Sequence, residues 1–265
     1  MDNWLEPLRK AFDIAPAPLL LFFRDDDAGW ADDRLFNLLD LFRRHAMPID
    51  LAVIPLALTP RLADVLLARR AQDKVALGLH QHGYAHINHE MVGRKCEFGP
   101  SRSVSRQLEE LAAGHDRLRV LLGDNMDPIF TPPWNRCTEE TARALCLQGF
   151  ETLSRIHGSV AIKVGELQEL DVAIDWHKRE NAKRMSPHRL GAQLAQAVQL
   201  PTPVGIMLHH AVMDASDLRL LGELFELLES HPNAVCAPMR HVRLVARSDQ
   251  FRGMLSGRKD GNGAR

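Results

Sequence analysis

Leu19-Leu20-Leu21-Phe22-Phe23 runs directly into Arg24-Asp25-Asp26-Asp27-Ala28-Gly29, an apolar run closed by three consecutive acids. An unbroken apolar run of this length reads as a strand. Outward from it, Leu35 to Arg44 has helical amphipathic spacing. Ile49 to Ile54 and Val75 to Leu79 repeat the strand pattern, with Pro60 to Arg70 helical between them. The alternation continues with a helix over Val104 to Leu122, a strand at Ile129-Phe130, a helix over Glu139 to Gln148 and a strand over Glu151 to Leu153. Further strands are expected at Val172 to Ile174, Val204 to Leu208 and Ala234 to Cys236, with helices over Pro187 to Gln199 and Asp217 to Ser230. Thr59-Pro60, Ser186-Pro187 and Thr138-Glu139 supply ordinary helix starts. Seven or eight βα units predict an α/β fold closed as a barrel.

The bulk properties exclude several function classes. Lys plus Arg (33) nearly cancels Asp plus Glu (34), so no global positive field attracts nucleic acid or an anionic membrane. The run from Leu19 to Phe23 is too short for a signal core or a membrane span, and a cytoplasmic protein is expected. Cys96, Cys137, Cys146 and Cys236 are far apart without C-x-x-C spacing and are expected as reduced thiols. Residues 1–246 are expected to form a single catalytic domain. Residues 247–265 mix charges with four glycines and are expected as a disordered tail. Oligomeric state is not legible.

The chemistry begins with the three acids. Their mutual repulsion is costly unless a cation or proton relieves it, although Asp and Gly at a strand end also suit a turn and a helix N-cap. The segment Leu79-His80-Gln81-His82-Gly83-Tyr84-Ala85-His86-Ile87-Asn88-His89 decides between these readings. It holds four of thirteen histidines within ten residues, where an even spread would place about half of one. His82-x-x-x-His86 brings two imidazoles to one ion if the segment turns helically. With the Asp27 carboxylate they form a borderline donor set for one divalent metal, Zn2+ first, with Co2+, Ni2+, Fe2+ and Mn2+ as alternatives. Isolated histidines of this kind also serve as caps or hydrogen-bonding groups in polar loops, the role expected of His89. Three protein ligands leave positions for water and substrate, and Asp26, adjacent to a ligand, is the expected base.

Three further segments place polar groups after apolar strands. Ile129-Phe130-Thr131-Pro132-Pro133-Trp134-Asn135-Arg136 is stiffened by its prolines and offers the Trp134 ring as a flat face for a sugar, or as a core tryptophan beside a turn. Asp171-Val172-Ala173-Ile174-Asp175-Trp176-His177 ends a strand with an acid, an aromatic and a histidine, and Gly205-Ile206-Met207-Leu208-His209-His210 ends one with two histidines. Asp and His at five strand termini match a barrel's active face.

The order Asp-Asp, H-x-x-x-H, Pro-aromatic, Asp-Trp, Leu-x-His, from Arg24 to His210, resembles the polysaccharide deacetylase family with the NodB-homology fold. The resemblance implies a distorted (β/α) barrel of about seven parallel strands and a metal-dependent hydrolase that removes acetyl, or formyl, groups from N or O of a carbohydrate. It implies Asp26 as base, Asp27, His82 and His86 as metal ligands, the Trp134 backbone N–H as oxyanion donor and His209 as general acid, with His210 as fallback. Met207 is implied to line the acyl pocket, with Pro133, Asn135, Asp175 and Trp176 in support. Two positions depart from the family pattern: Asp25 replaces the usual Phe, and Thr131 replaces the arginine that tethers the base. Arg24 or Arg136 is the expected substitute, paired with Asp175.

A small intracellular substrate, such as an activated amino sugar, suits a chain without a secretion signal. The alternatives are a hydrolase of a non-sugar linear amide, an inactive carbohydrate-binding barrel, and a structural metal site with His80 or Asp25 as fourth ligand.

Overall fold

The computed structural model describes residues 3–72, 77–180 and 183–244. Its strands are β1 (Leu19–Ala28), β2 (Ile49–Val53), β3 (Leu77–His82), β4 (Ile129–Thr131), β5 (Thr152–Leu153), β6 (Gln168–Glu169), β7 (Val172–Asp175), β8 (Arg179–Glu180), β9 (Lys183–Arg184), β10 (Val204–Leu208) and β11 (Ala234–Cys236). The helices are α1 (Glu6–Asp13), α2 (Asp32–Arg44), α3 (Pro60–Gln72), α4 (Val104–Leu122), α5 (Glu139–Leu147), α6 (Pro187–Ala197) and α7 (Ala215–Ser230).

The sheet runs in the order β6-β5-β4-β3-β2-β1-β10-β7, with every pair parallel and β11 added to the start of β1. Beyond β5 the chain returns to the opposite edge, where Ile156 bridges Val172. Val172 N–H donates to Arg155 O at 2.8 Å, and His157 N–H donates to Val172 O at 2.9 Å. The sheet is thus curled into a distorted (β/α) barrel of seven principal parallel strands, as expected. The four cysteines are free. No helix among the described residues is long and apolar enough to cross a membrane.

Several boundaries differ from those expected. β1 continues through all three acids, because β10 pairs with it as far as Asp25 and β2 pairs with it again at Ala28. β3 continues from Leu79 to His82 for the same reason, between β2 and β4; the start expected at Val75 lies outside the described residues, as does the tail 247–265. α1, β6 and the β8–β9 hairpin were not anticipated. The paired residues of β6 are Gln168 and Glu169, which carry no apolar pattern and are strand only through their bonds to β5.

Alternation along each strand sorts side chains between the barrel lumen and the helical layer. On β1, Leu21 and Phe23 join the outer core, where Phe23 meets Phe42 of α2 and Phe225 of α7 edge-on at 5.2 and 5.3 Å. Phe22 points inward, onto an apolar floor with Ile129, Leu170, Val172 and Met207, completed by Met239 and Val242 of the C-terminal segment. Arg24 and Asp26 share its face, so the floor carries a polar layer above it.

Beside this floor Asp50 on β2 is fully buried, accepting the Met239 N–H at 2.9 Å through Oδ2 while Oδ1 has no partner among the described residues. Its carboxyl occupies the space left by Gly78, where a Cβ would fall 1.8 Å from Oδ1. Burial, reinforced by the nearby charge of Asp127 and opposed by the Met239 N–H, pushes Asp50 up to about 8. The folded state therefore holds a proton that the unfolded chain releases near pH 4. This contribution to stability, on the order of a few kcal/mol, is fully present below the unfolded value and is lost progressively as pH rises to and through the folded value. Asp50→Asn keeps an acceptor for Met239, and its melting temperature is expected to vary less between pH 5 and 8 than that of the wild type. Identical pH–stability curves for the two proteins would place the buried proton elsewhere.

Candidate metal centre and active site

The two acids at the end of β1 reach the site because the strand is bulged. Arg24 and Asp25 stand opposite Asp50 and Leu51 and Ala28 opposite Val53, so Asp26 and Asp27 together face the single residue Ala52. Asp27 adopts φ 71°, a left-handed conformation that is rare for a non-glycine residue. The extra residue shifts the alternation: Ala28 returns to the outer core with Leu21 and Phe23. Adjacent carboxylates thereby serve one site, which strict alternation forbids.

Asp27 Oδ1 lies 3.2 Å from His82 Nε2 and 3.1 Å from His86 Nε2, and the three donor atoms fall within 4.8 Å of one another. Burial alone raises Asp27, but the bonds from His82 and His86 outweigh it and hold the carboxyl well below the usual carboxylate range. His82 Nδ1–H donates to Thr131 O at 2.9 Å, which leaves Nε2 facing Asp27. His86 is brought in by a loop and not by a helical turn: Gly83 and His86 adopt φ 57° each, and 83–98 leaves β3 without forming a helix. The His86 ring is flanked by Trp30 at 4.9 Å and Trp134 at 4.5 Å. Two imidazoles and a carboxylate at this spacing fit a divalent cation. The two residues expected as a possible fourth ligand are engaged elsewhere. His80 Nε2 meets Thr131 Oγ1 at 2.9 Å, and burial together with the Arg24 charge lowers it to about 3, keeping it neutral. Asp25 is taken by His210.

Asp26 is clamped by Arg24. Nε donates to Oδ1 at 2.8 Å and Nη2 to Oδ2 at 2.9 Å, a two-point fork between residues two apart on one strand face. The guanidinium is fully buried and also donates to Ser154 Oγ (2.8 Å) and Asn135 Oδ1 (2.7 Å), with Met207 Sδ 3.0 Å from Nη2. Burial raises Asp26, but the Arg24 charge, with those of His82 and His209 and the Arg24 bond, holds it below the ordinary value and proton-free at neutral pH. Arg24 thus contacts the carboxylate that lacks the usual arginine. Arg136 does not: it donates to Lys95 O at 3.0 Å on the surface. The expected pairing with Asp175 is absent among the described residues, since Asp175 Oδ1 accepts the His177 N–H at 3.0 Å.

Of the remaining expected residues, His209 follows β10 with Nδ1 buried and unpartnered among the described residues. It lines a cavity of about 300 Å³ with Asp175, His177, Arg179, Arg184 and Val212. Trp134 adopts φ 55° and Asn135 φ 58° in a short 3-10 turn started by Pro133, itself buried against the Gly83 position. Trp176 belongs instead to the outer core, edge-on to Trp4 at 6.5 Å, because it steps off β7 towards the helical layer. His210 is sealed into the scaffold. Nδ1 meets Asp25 Oδ2 at 2.6 Å, its own N–H donates to Asp25 Oδ1 at 2.9 Å, and Nε2–H donates to Trp30 O at 2.7 Å. Burial lowers its pKa, but the Asp25 charge and bond outweigh that and raise it to about 9. Sequence reasoning missed Ser154, Trp30 and Glu97, none of which belongs to a motif that spacing reveals. His177, from the strand-end segment it singled out, lines the cavity beside His209.

Neither a family model nor a curated protein sequence matches the chain. Solved structures do match by fold. A proposed polysaccharide deacetylase from Mycobacterium smegmatis aligns with TM-score 0.65 at 15% identity, over 89% of this chain and 93% of that one. A family 4 acetyl xylan esterase from Clostridium thermocellum, in complex with a cobalt ion, aligns with TM-score 0.56 at 11% identity, over 85% and 91%. A CE4 family pseudoenzyme from Bacillus anthracis aligns with TM-score 0.56 at 12% identity, over 86% and 66%. The chain therefore has the fold of the CE4 esterases and polysaccharide deacetylases, the fold that its motifs resemble.

Proposed function

We propose that this chain is a metal-dependent hydrolase that removes an acetyl or formyl group from N or O of a carbohydrate or an activated sugar. The observation that carries the reading is the convergence of the Asp27, His82 and His86 donor atoms beside the Arg24-clamped Asp26, on the fold of the CE4 esterases. A divalent cation at this site supplies Lewis-acid polarisation of the acyl carbonyl and a lowered pKa for water.

The chain's own residues supply the remaining steps. Asp26, ionised and aimed by Arg24, accepts the proton of the water whose oxygen bonds to the acyl carbon. The Trp134 backbone N–H, presented by the left-handed turn after Pro133, donates to the oxyanion that develops. His209 delivers a proton to the leaving nitrogen or oxygen as its bond to the acyl carbon breaks. Met207 and Asn135, held together through Arg24, form one wall beside the acyl group. The presence of both Asp26 and His209 supports a hydrolase over an inactive binding barrel.

The test is release of acetate and formate from a panel of N- and O-acylated sugars, oligosaccharides and sugar nucleotides, before and after chelation. Release that disappears with the metal and returns on reloading is expected. Release only from non-sugar linear amides would move the substrate class, and none from protein with confirmed bound metal would favour the binding barrel.

A further inference from the structure

The chain from Gly83 to Phe98 leaves β3 as a loop tied across its neck. His89 N–H donates to Cys96 O at 3.0 Å, and Asn88 Oδ1 accepts the N–H of Cys96 at 2.9 Å and of Glu90 at 3.1 Å. Inside the loop lies Glu97, fully buried. Its Oε2 accepts the Tyr84 N–H at 3.1 Å, and its Oε1 accepts those of Ala85 at 2.8 Å and Ile87 at 3.3 Å. Among the described residues no cation forms an ion pair with it. A buried carboxylate is costly unless hydrogen-bonded. Here the compensation comes from peptide dipoles of the segment that carries His86, a nest of N–H groups around an anion.

The three bonded amides bracket His86, the residue in the left-handed conformation. A non-glycine residue there costs about 1 kcal/mol or more and persists only where its surroundings enforce it. Gly83 leaves the room required: a Cβ there would fall 2.1 Å from Glu97 Oε2 and 2.5 Å from Pro133 Cγ. We propose that Glu97 is the positioning residue of the metal centre, its carboxylate holding the Tyr84–Ile87 backbone in the turn that aims His86 Nε2 at Asp27 and His82. The proposal rests on the reading of those three residues as metal ligands.

Glu97→Ala and Glu97→Gln are to be compared with the wild type by calorimetric titration of Zn2+, thermal unfolding of the metal-free proteins, and crystal structures of the metal-free proteins. Zn2+ affinity is expected to fall about 10- to 100-fold in Glu97→Ala, as for lost supports of ligating groups. Glu97→Gln, whose single carbonyl oxygen keeps part of the nest, is expected to fall between the two and still unfold cooperatively, so it decides if Glu97→Ala does not fold. Lowered melting temperature with wild-type affinity would make Glu97 a loop support only and overturn the proposal. So would lost affinity with His86 unmoved. Should the wild type bind no Zn2+, the ligand reading fails by itself. The conformation of His86 in Glu97→Gln then decides the positioning role: departure from the left-handed region upholds it, and an unchanged turn overturns it.

Discussion

Replacing Asp26 by Asn is expected to slow deacylation by about 10²- to 10⁴-fold while metal affinity is retained. Asp26 contributes no atom to the Asp27, His82, His86 cluster, and both its oxygens face the Arg24 fork. Asn keeps the size and one acceptor but cannot take a proton from water. His82→Ala supplies the contrast, since it removes a donor atom and is expected to lose affinity and rate together. Acetate release and calorimetric titration on the same preparations separate the two. A wild-type rate in Asp26→Asn would assign the base elsewhere, and parallel loss of metal would make Asp26 a ligand.

Arg24→Met is expected to cost about 3–5 kcal/mol in stability, because it strips the counter-charge from a carboxylate that is 2% exposed. Asp26→Asn leaves a guanidinium with other acceptors, Ser154 Oγ and Asn135 Oδ1, and is expected to cost less. In the double variant neither charge is stranded, so its stability is expected to exceed that of Arg24→Met alone. Urea unfolding of the four proteins measures the coupling. Additive costs, within about 0.5 kcal/mol, would mean that the fork contributes geometry and little energy.

How far the sequence carried these conclusions depended on distance along the chain. Strand and helix positions were legible because their apolar periodicity is local, and α4 and β10 fall where it placed them. The candidate metal group was legible because β1 and the end of β3 each bring its donor atoms in a short, compositionally odd segment. The HxxxH spacing suggested a helical turn, whereas Gly83 and the left-handed His86 achieve the same convergence in a loop. The choice between Arg24 and Arg136 could not be made from spacing, since it turns on barrel closure, which brings Ser154 and Asn135 around Arg24 from 130 and 111 residues away. His210 looked like a second acid beside His209, and only the fold shows Asp25, 185 residues away, holding it. Glu97 carries no motif at all. Its role depends on which backbone amides a buried carboxylate can reach.

The bulge at Asp26 and Asp27 makes the count of residues between Arg24 and Ala28 a functional property in its own right. A substitution there alters one side chain and leaves its neighbours facing as before. Deleting one residue of the bulge restores plain alternation, which keeps Ala28 outside but leaves the lumen one carboxylate short, and adding one ahead of it turns a carboxylate towards the greasy helical layer. Along this strand the protein can exchange letters one at a time, but its parity is inherited whole.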